Sequence, residues 1–131
     1  MIEINGKNIE IVRGDYLPLT VTTQNADGSD YIFQLEDILR FKVFERKNVD
    51  NVFLEKDFKV NEISTEVLIE LTADEMKFGE LINKPIDYWY EIELNPNTQK
   101  TQTIVGYEMQ TGPAILTLLP EGGDKNDTSK E

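Results

Sequence analysis

Short alternations of apolar and polar residues, cut by turn chemistry at regular intervals, predict an all-β chain folded as a sandwich or barrel. Three observations carry that prediction. Stretches of strand length, such as Leu39-Arg40-Phe41-Lys42-Val43 and Tyr88-Trp89-Tyr90-Glu91-Ile92-Glu93-Leu94, alternate as strands with one packed face do. Asn5-Gly6, Asn25-Ala26-Asp27-Gly28, Asn95-Pro96-Asn97 and Gly112-Pro113 punctuate them with residues suited to turns. A convincing helix start occurs once, at Thr72-Ala73-Asp74-Glu75.

The elements follow in order. Ile2 to Ile4 and Ile9 to Val12 flank Asn5-Gly6, a strong hairpin signal. After the break at Arg13-Gly14-Asp15, Leu17, Leu19 and Val21 share one face of a strand. Pro18 places that strand at an edge or a strand start, because proline donates nothing to a ladder. Tyr31 to Phe33 reads as a short extended piece, and Gln34 to Ile38 as one loose helical turn or a bend. Leu39, Phe41 and Val43 define the next strand. Lys47 to Asn51 reads as a polar turn, and Phe53 to Val60 as the strand returning across it.

Val67, Ile69 and Leu71 share a face of the next strand. Thr72 and Glu75 then have the spacing of a capping box, in which each side chain bonds the other residue's amide. One short helix is therefore expected after Leu71, ended by Gly79 and Pro85. Asp87 to Leu94 is the clearest strand. Thr101 to Tyr107 should pair with it across the intervening turn, and Ala114 to Leu119 is the last strand. Pro120 to Glu131 is polar and Gly-containing. The expected organisation is a single β-sandwich domain over 1–120, with a flexible charged tail over 121–131.

At 131 residues the chain suits one domain with a usable core, and 39% apolar against 29% charged residues favours folding over disorder. No apolar run approaches membrane-spanning length, and no cationic-then-apolar leader is visible, so no membrane partner is expected. The absence of cysteine suits a reducing cytoplasm. A net charge of −12 opposes direct contact with phosphate backbones. The same acidity leaves open an inhibitor that imitates nucleic acid, beside the plainer reading of a solvated surface.

The chain has neither histidine nor cysteine, which removes the usual ligands of zinc and copper and the Ser-His-Asp and Cys-His devices. No catalytic residue, metal or cofactor is expected, and the protein is not expected to be an enzyme. Asn25, Asp27, Ser29 and Asp30 faintly resemble a calcium loop. Gly28 is fourth from Asn25, however, where an EF-hand needs glycine sixth. Glu91 and Glu93 share a strand face with alpha carbons about 6.5–7 Å apart, a spacing open to a glycosidase pair but explained by alternation alone. Arg13-Gly14-Asp15 matches an adhesion tripeptide and reads first as a turn.

The aromatics leave a question. If Tyr88, Tyr90, Ile92 and Leu94 point inward, Trp89 points outward beside Glu91 and Glu93. If the other face is covered, Trp89 is core. An outward tryptophan calls for a reason, and contact with another protein is a common one. Trp89, Phe44 and Tyr107 are accordingly the interface candidates. A carbohydrate-binding surface built on Trp89, Tyr88 and Tyr107 is a further reading.

Several stretches line up in sequence: Ile11-Val12-Arg13-Gly14-Asp15-Tyr16-Leu17-Pro18-Leu19, Ala26-Asp27-Gly28, Leu39 to Val43, Ile69 to Glu75, Tyr88 to Leu94, Thr103 to Tyr107 and Leu116 to Gly122. Together they resemble tail and baseplate proteins of phages infecting Gram-positive bacteria, in particular the N-terminal immunoglobulin-like domain of the phage baseplate upper protein family. The resemblance covers about residues 9–122. It implies an immunoglobulin-like antiparallel β-sandwich with one short helix after Leu71. It further implies a virion structural protein that docks onto other phage structural proteins in multiple symmetric copies, folding in host cytoplasm before entering the virion. No catalytic residues carry over, because the family role is assembly.

Overall fold

The computed structural model describes residues 2–5, 7–45, 48–81 and 83–121. β1 (Ile2–Asn5) and β2 (Asn8–Val12) pair antiparallel, with Ile2 opposite Ile11, as the alternation around Asn5-Gly6 leads one to expect. β3 (Leu17–Val21) follows, then β4 (Ile38–Glu45) and β5 (Asn48–Lys59). β6 (Val67–Leu71), β7 (Ile86–Leu94), β8 (Gln102–Val105) and β9 (Ala114–Leu119) complete the described elements.

The strands form two sheets. The larger has seven strands in the order β1-β2-β9-β7-β4-β5, with β8 also on β7. The smaller holds β3 and β6 alone, so Pro18 does lie in an edge strand. Residues of both sheets share one buried cluster: Leu17, Val21, Ile69 and Leu71 from the small sheet, and Ile11, Leu39, Phe41, Val43, Tyr90, Ile92, Leu116 and Leu118 from the large one. The architecture is all-β and consistent with a β-sandwich.

β7 organises the large sheet. One of its edges pairs with β4 from Trp89 to Leu94. The other is shared, β9 taking Ile86 to Tyr90 and β8 taking Ile92 to Leu94. Tyr88, Tyr90, Ile92 and Leu94 are all buried, which settles the orientation of the strand.

Three expectations need correction. The sheet is mixed rather than antiparallel, because β2 runs parallel to β9. β1 and β2 are antiparallel to each other, so one of them must run with β9 wherever the hairpin docks on it. Second, no helix follows Leu71 among the described residues. The capping box itself forms, since the Thr72 amide donates to Glu75 Oε1 at 2.8 Å and the Glu75 amide to Thr72 Oγ1 at 3.1 Å. One turn closes through the Met76 amide and Thr72 carbonyl, 3.0 Å apart, and propagation stops there. The Lys77 amide turns to the Asp74 carbonyl at 3.2 Å, Met76 is fully buried, Gly79 adopts φ 73°, and the Arg13 guanidinium binds the carbonyls of Lys77, Phe78 and Gly79.

Third, Asn48 to Asn51 are strand rather than turn. Glu45 pairs with Asn48 and Phe44 with Val52, with register shifts on either side of Phe44. β5 is an edge strand, and an edge tolerates polar residues on its open side. Tyr31 to Phe33 lies outside the named strands, tied by the Tyr31 amide to the Thr23 carbonyl at 3.0 Å and by a bridge from Phe33 to Ser64. Of the expected tail, Glu121 is ion-paired to Arg13 at 3.1 Å with its side chain 3% exposed, and residues 122–131 lie outside the described residues.

One end of the molecule is closed by a polar knot. The Asp37 carboxylate accepts from the Tyr31 hydroxyl at 2.7 Å, the Gln34 amide at 2.9 Å and the Asn95 side-chain amide at 3.1 Å. Asn95 exchanges two further bonds with the Ile38 backbone. Its φ of 51° is a left-handed conformation that asparagine tolerates better than most residues.

Candidate interaction surface

Alternation along β4 and β7 sends Arg40, Lys42, Phe44, Trp89, Glu91 and Glu93 to the face of the large sheet away from the core. Register then stacks them in rows across the strands. Asp57, Arg40 and Glu93 form one row, and Glu55, Lys42 and Glu91 the next, so each cation sits between two acids. Arg40 holds Asp57 through two hydrogen bonds, at 2.8 and 3.2 Å, and lies 3.3 Å from Glu55. Their hydrogen bonds, reinforced by the opposite charges, depress the Asp57 carboxyl and raise the Arg40 guanidinium. Glu91 behaves differently. Burial pushes its carboxyl up, Glu93 adds to the rise, and Lys42 only partly opposes it.

The third row is apolar: Val52, Phe44, Trp89 and Ile115. Beyond it, the Thr117 hydroxyl donates to Asp87 at 2.7 Å. Phe44 is only 3% exposed, and the Trp89 ring stands edge-on to it at 6.5 Å. Trp89 is half-buried, and the Tyr107 ring lies 5.9 Å from it at 46°. Tyr107 and Met109 are 63% and 95% exposed. The three interface candidates thus occupy one aromatic chain. Phe44 is buried beside Trp89 on the neighbouring strand, while Trp89 and Tyr107 meet solvent.

Tyr107 sits on a short turn that is held in place. Glu108 and Gly112 exchange two backbone bonds, at 2.9 and 2.7 Å. Lys7 Nζ donates to the carbonyls of Gly106 at 3.0 Å and Gly112 at 2.6 Å, and the Tyr90 hydroxyl donates to the Lys7 carbonyl. A core residue of β7 therefore positions the lysine that pins the turn. Sequence reasoning missed two members of this surface. Val52 fell between the expected turn, Lys47 to Asn51, and the expected strand from Phe53, and Met109 gave no signal beyond its closeness to Tyr107.

The other sequence candidates fall into structural roles. Arg13 gives its donors to three carbonyls and Glu121, with the side chain 11% exposed, so the adhesion tripeptide is folded inward. Asp27 is bonded by both the amide and the hydroxyl of Ser29, which makes that loop a turn. Glu91 and Glu93 face the cations Lys42 and Arg40 across the strand. Tyr88 is 7% exposed and packs edge-on against Phe53 and Phe78, which takes it out of any stacking surface.

A cleft of about 730 Å³ lies beside Phe53, Leu81, Ile86 and Tyr88, and another of about 550 Å³ beside Leu19, Val21, Ile92 and Val105. Neither gathers catalytic groups. Among the described residues no group of three or more acids is placed to hold a metal ion, and no helix is long and apolar enough to cross a membrane. No protein-family model, curated protein or solved structure matches this chain.

Proposed function

We propose that this chain is a phage or prophage virion structural protein, a tail or baseplate component, built on an immunoglobulin-like sandwich and acting by protein–protein assembly. One observation carries the reading: a supported aromatic row, Phe44–Trp89–Tyr107, crosses the otherwise charged outer face of the large sheet. The fold does not need apolar side chains there, whereas a docking surface does. Strand order supports the finer fold. β3 and β6 neighbour each other as strands B and E do, and β4, β7 and β9 follow the order C, F and G. On this reading the protein folds in host cytoplasm and enters the particle through Trp89 and Tyr107, without catalysis.

A nucleic-acid mimic is less well supported, because Arg40 and Lys42 interrupt the acids of this face row by row. A carbohydrate platform loses Tyr88 to the core, and the remaining rings are tilted to each other rather than coplanar. Purified particles analysed by mass spectrometry test the assembly reading. The chain is expected at fixed stoichiometry, and its absence from intact virions would sink the proposal.

A further inference from the structure

We propose that Trp89, Tyr107 and Glu91 form a recognition site for an arginine side chain presented by a protein partner. The two rings lie 5.9 Å apart at 46°, so they make an open corner rather than a flat wall. Glu91 is the next outward residue after Trp89, with alpha carbons about 6.5–7 Å apart from the strand rise. Its side chain runs along Gly106, the residue before Tyr107: a methyl group placed on Gly106 would lie 3.8 Å from Glu91 Cγ. The acid thus adjoins both rings, Trp89 along the strand and Tyr107 through its neighbour Gly106. Aromatic faces attract cations through their quadrupole, and a carboxylate matches a guanidinium by charge and fork geometry.

The carboxylate is also available. Among the described residues no hydrogen bond or contact ion pair holds it. Lys42 acts on it only through space, and Arg40 is turned to Asp57 and Glu55. Burial and Glu93 already disfavour its charge, and the attraction of a cation docked beside it opposes both effects.

Charge selects the occupant. Glu55, Asp57, Asp87, Glu91 and Glu93 outnumber Arg40, Lys42 and Lys59 on this face, and the chain carries −12. A second copy docked face to face would oppose acid to acid, whereas a basic protein loop complements it. Arginine fits better than lysine, because its planar group stacks on rings while its donors reach the carboxylate.

The site rests on the assembly reading only for the origin of the arginine, so the test uses a free probe. The only tryptophan in the chain is Trp89, which makes its fluorescence a local reporter. N-acetyl-arginine amide is expected to change that emission saturably. The citrulline analogue has nearly the same shape without the charge and should bind at least about fivefold more weakly, and the lysine analogue should fall between them. Glu91→Gln should weaken arginine binding about tenfold, and Tyr107→Ala by a similar factor, with amide spectra confirming that both variants remain folded. In Trp89→Leu the amide shift of Gly106 replaces the fluorescence readout and should become insensitive to the probe. Equal response to the citrulline analogue, tighter binding of lysine, or unchanged affinity in Glu91→Gln overturns the assignment. Particle composition is measured separately, so failure of the assembly reading is not confused with failure of the site.

Discussion

The two faces of the β4–β7 pair share one backbone and obey different rules. Inward, Leu39, Phe41, Val43, Tyr88, Tyr90, Ile92 and Leu94 are all buried, and the fold accounts for every one of them. Outward, the same strands carry Arg40, Lys42, Glu91 and Glu93, which water would solvate in any case, together with Phe44 and Trp89, which it would not. Burial dictates the inner face. Only the charged rows of the outer face follow from solubility, and the aromatic row is the part of it on which the proposed docking rests.

The sharpest way to break that contrast is truncation on each side. Phe41 is fully buried, with its ring 5.6 Å from that of Tyr90. Phe41→Ala should cost about 3–5 kcal/mol in urea unfolding, the usual range for emptying a core aromatic site. Trp89→Leu keeps an apolar cover over Phe44 and should cost well under half as much. Equal costs would mean that Trp89 belongs to the core and that the outer face has no separate role.

Asp37 gives the next largest effect and shows how a charge can belong to the inner side. Burial pushes its carboxyl up, but the Gln34 amide, the Tyr31 hydroxyl and the Asn95 amide outweigh it and hold the carboxyl below its ordinary value. Losing the carboxylate leaves those donors unmatched, so Asp37→Ala should cost about 2 kcal/mol. The sign with pH follows. A depressed carboxyl contributes stability above its unfolded pKa of about 4 and loses it as pH falls through the folded value. Unfolding midpoints measured from neutral pH to pH 3 should decline for the parent, and Asp37→Asn should lack that part of the decline.

Much of the inner face was legible in the sequence, because a period of two needs no knowledge of partners. Leu39, Phe41 and Val43, and Tyr88 through Leu94, have the orientation that their alternation implies. The failures have physical causes. The capping box at Thr72 and Glu75 was read correctly as hydrogen bonds and wrongly as a helix, since the Lys77 amide turns to Asp74 rather than Ala73 and Arg13, far earlier in the chain, holds the following carbonyls in a non-helical path. The parallel pairing of β2 with β9 joins the two ends of the domain, and no local pattern encodes that. For the surface, Trp89, Phe44 and Tyr107 could be chosen one by one, but their contact depends on register. Glu91 could be seen as a solvated acid and not as an unpaired one, because register sets Lys42 opposite it and only the fold decides whether the two come into contact.

A smaller effect isolates what that misread signature contributes. Thr72→Ala removes one half of the capping exchange and leaves both faces of the sheet intact, so a loss of about 1 kcal/mol is expected. Hydrogen exchange should show the loosening at Glu75 and Met76 before it reaches Tyr90. Simultaneous loss of protection at all three would mean that the turn is part of the core cooperative unit.

The smallest effect should carry the opposite sign, and it sharpens the contrast most. Glu91 is held above the ordinary glutamate value, first by burial and then by Glu93, against the pull of Lys42. A raised carboxyl favours the folded state while it is protonated. That contribution is full below the unfolded pKa of about 4.3 and is lost as pH rises through the folded value. At neutral pH the charged Glu91 is therefore a slight burden on the fold. Glu91→Gln should match or exceed the parent's stability at pH 7 by no more than about 0.5 kcal/mol, and the difference should vanish toward pH 3. Asp37→Asn moves the other way over the same range, so one pair of titrations separates a carboxylate that the fold uses from one that it merely tolerates. A clear loss in Glu91→Gln at neutral pH would show that the fold supplies this acid with a partner, and the outer corner would then have no free charge to offer.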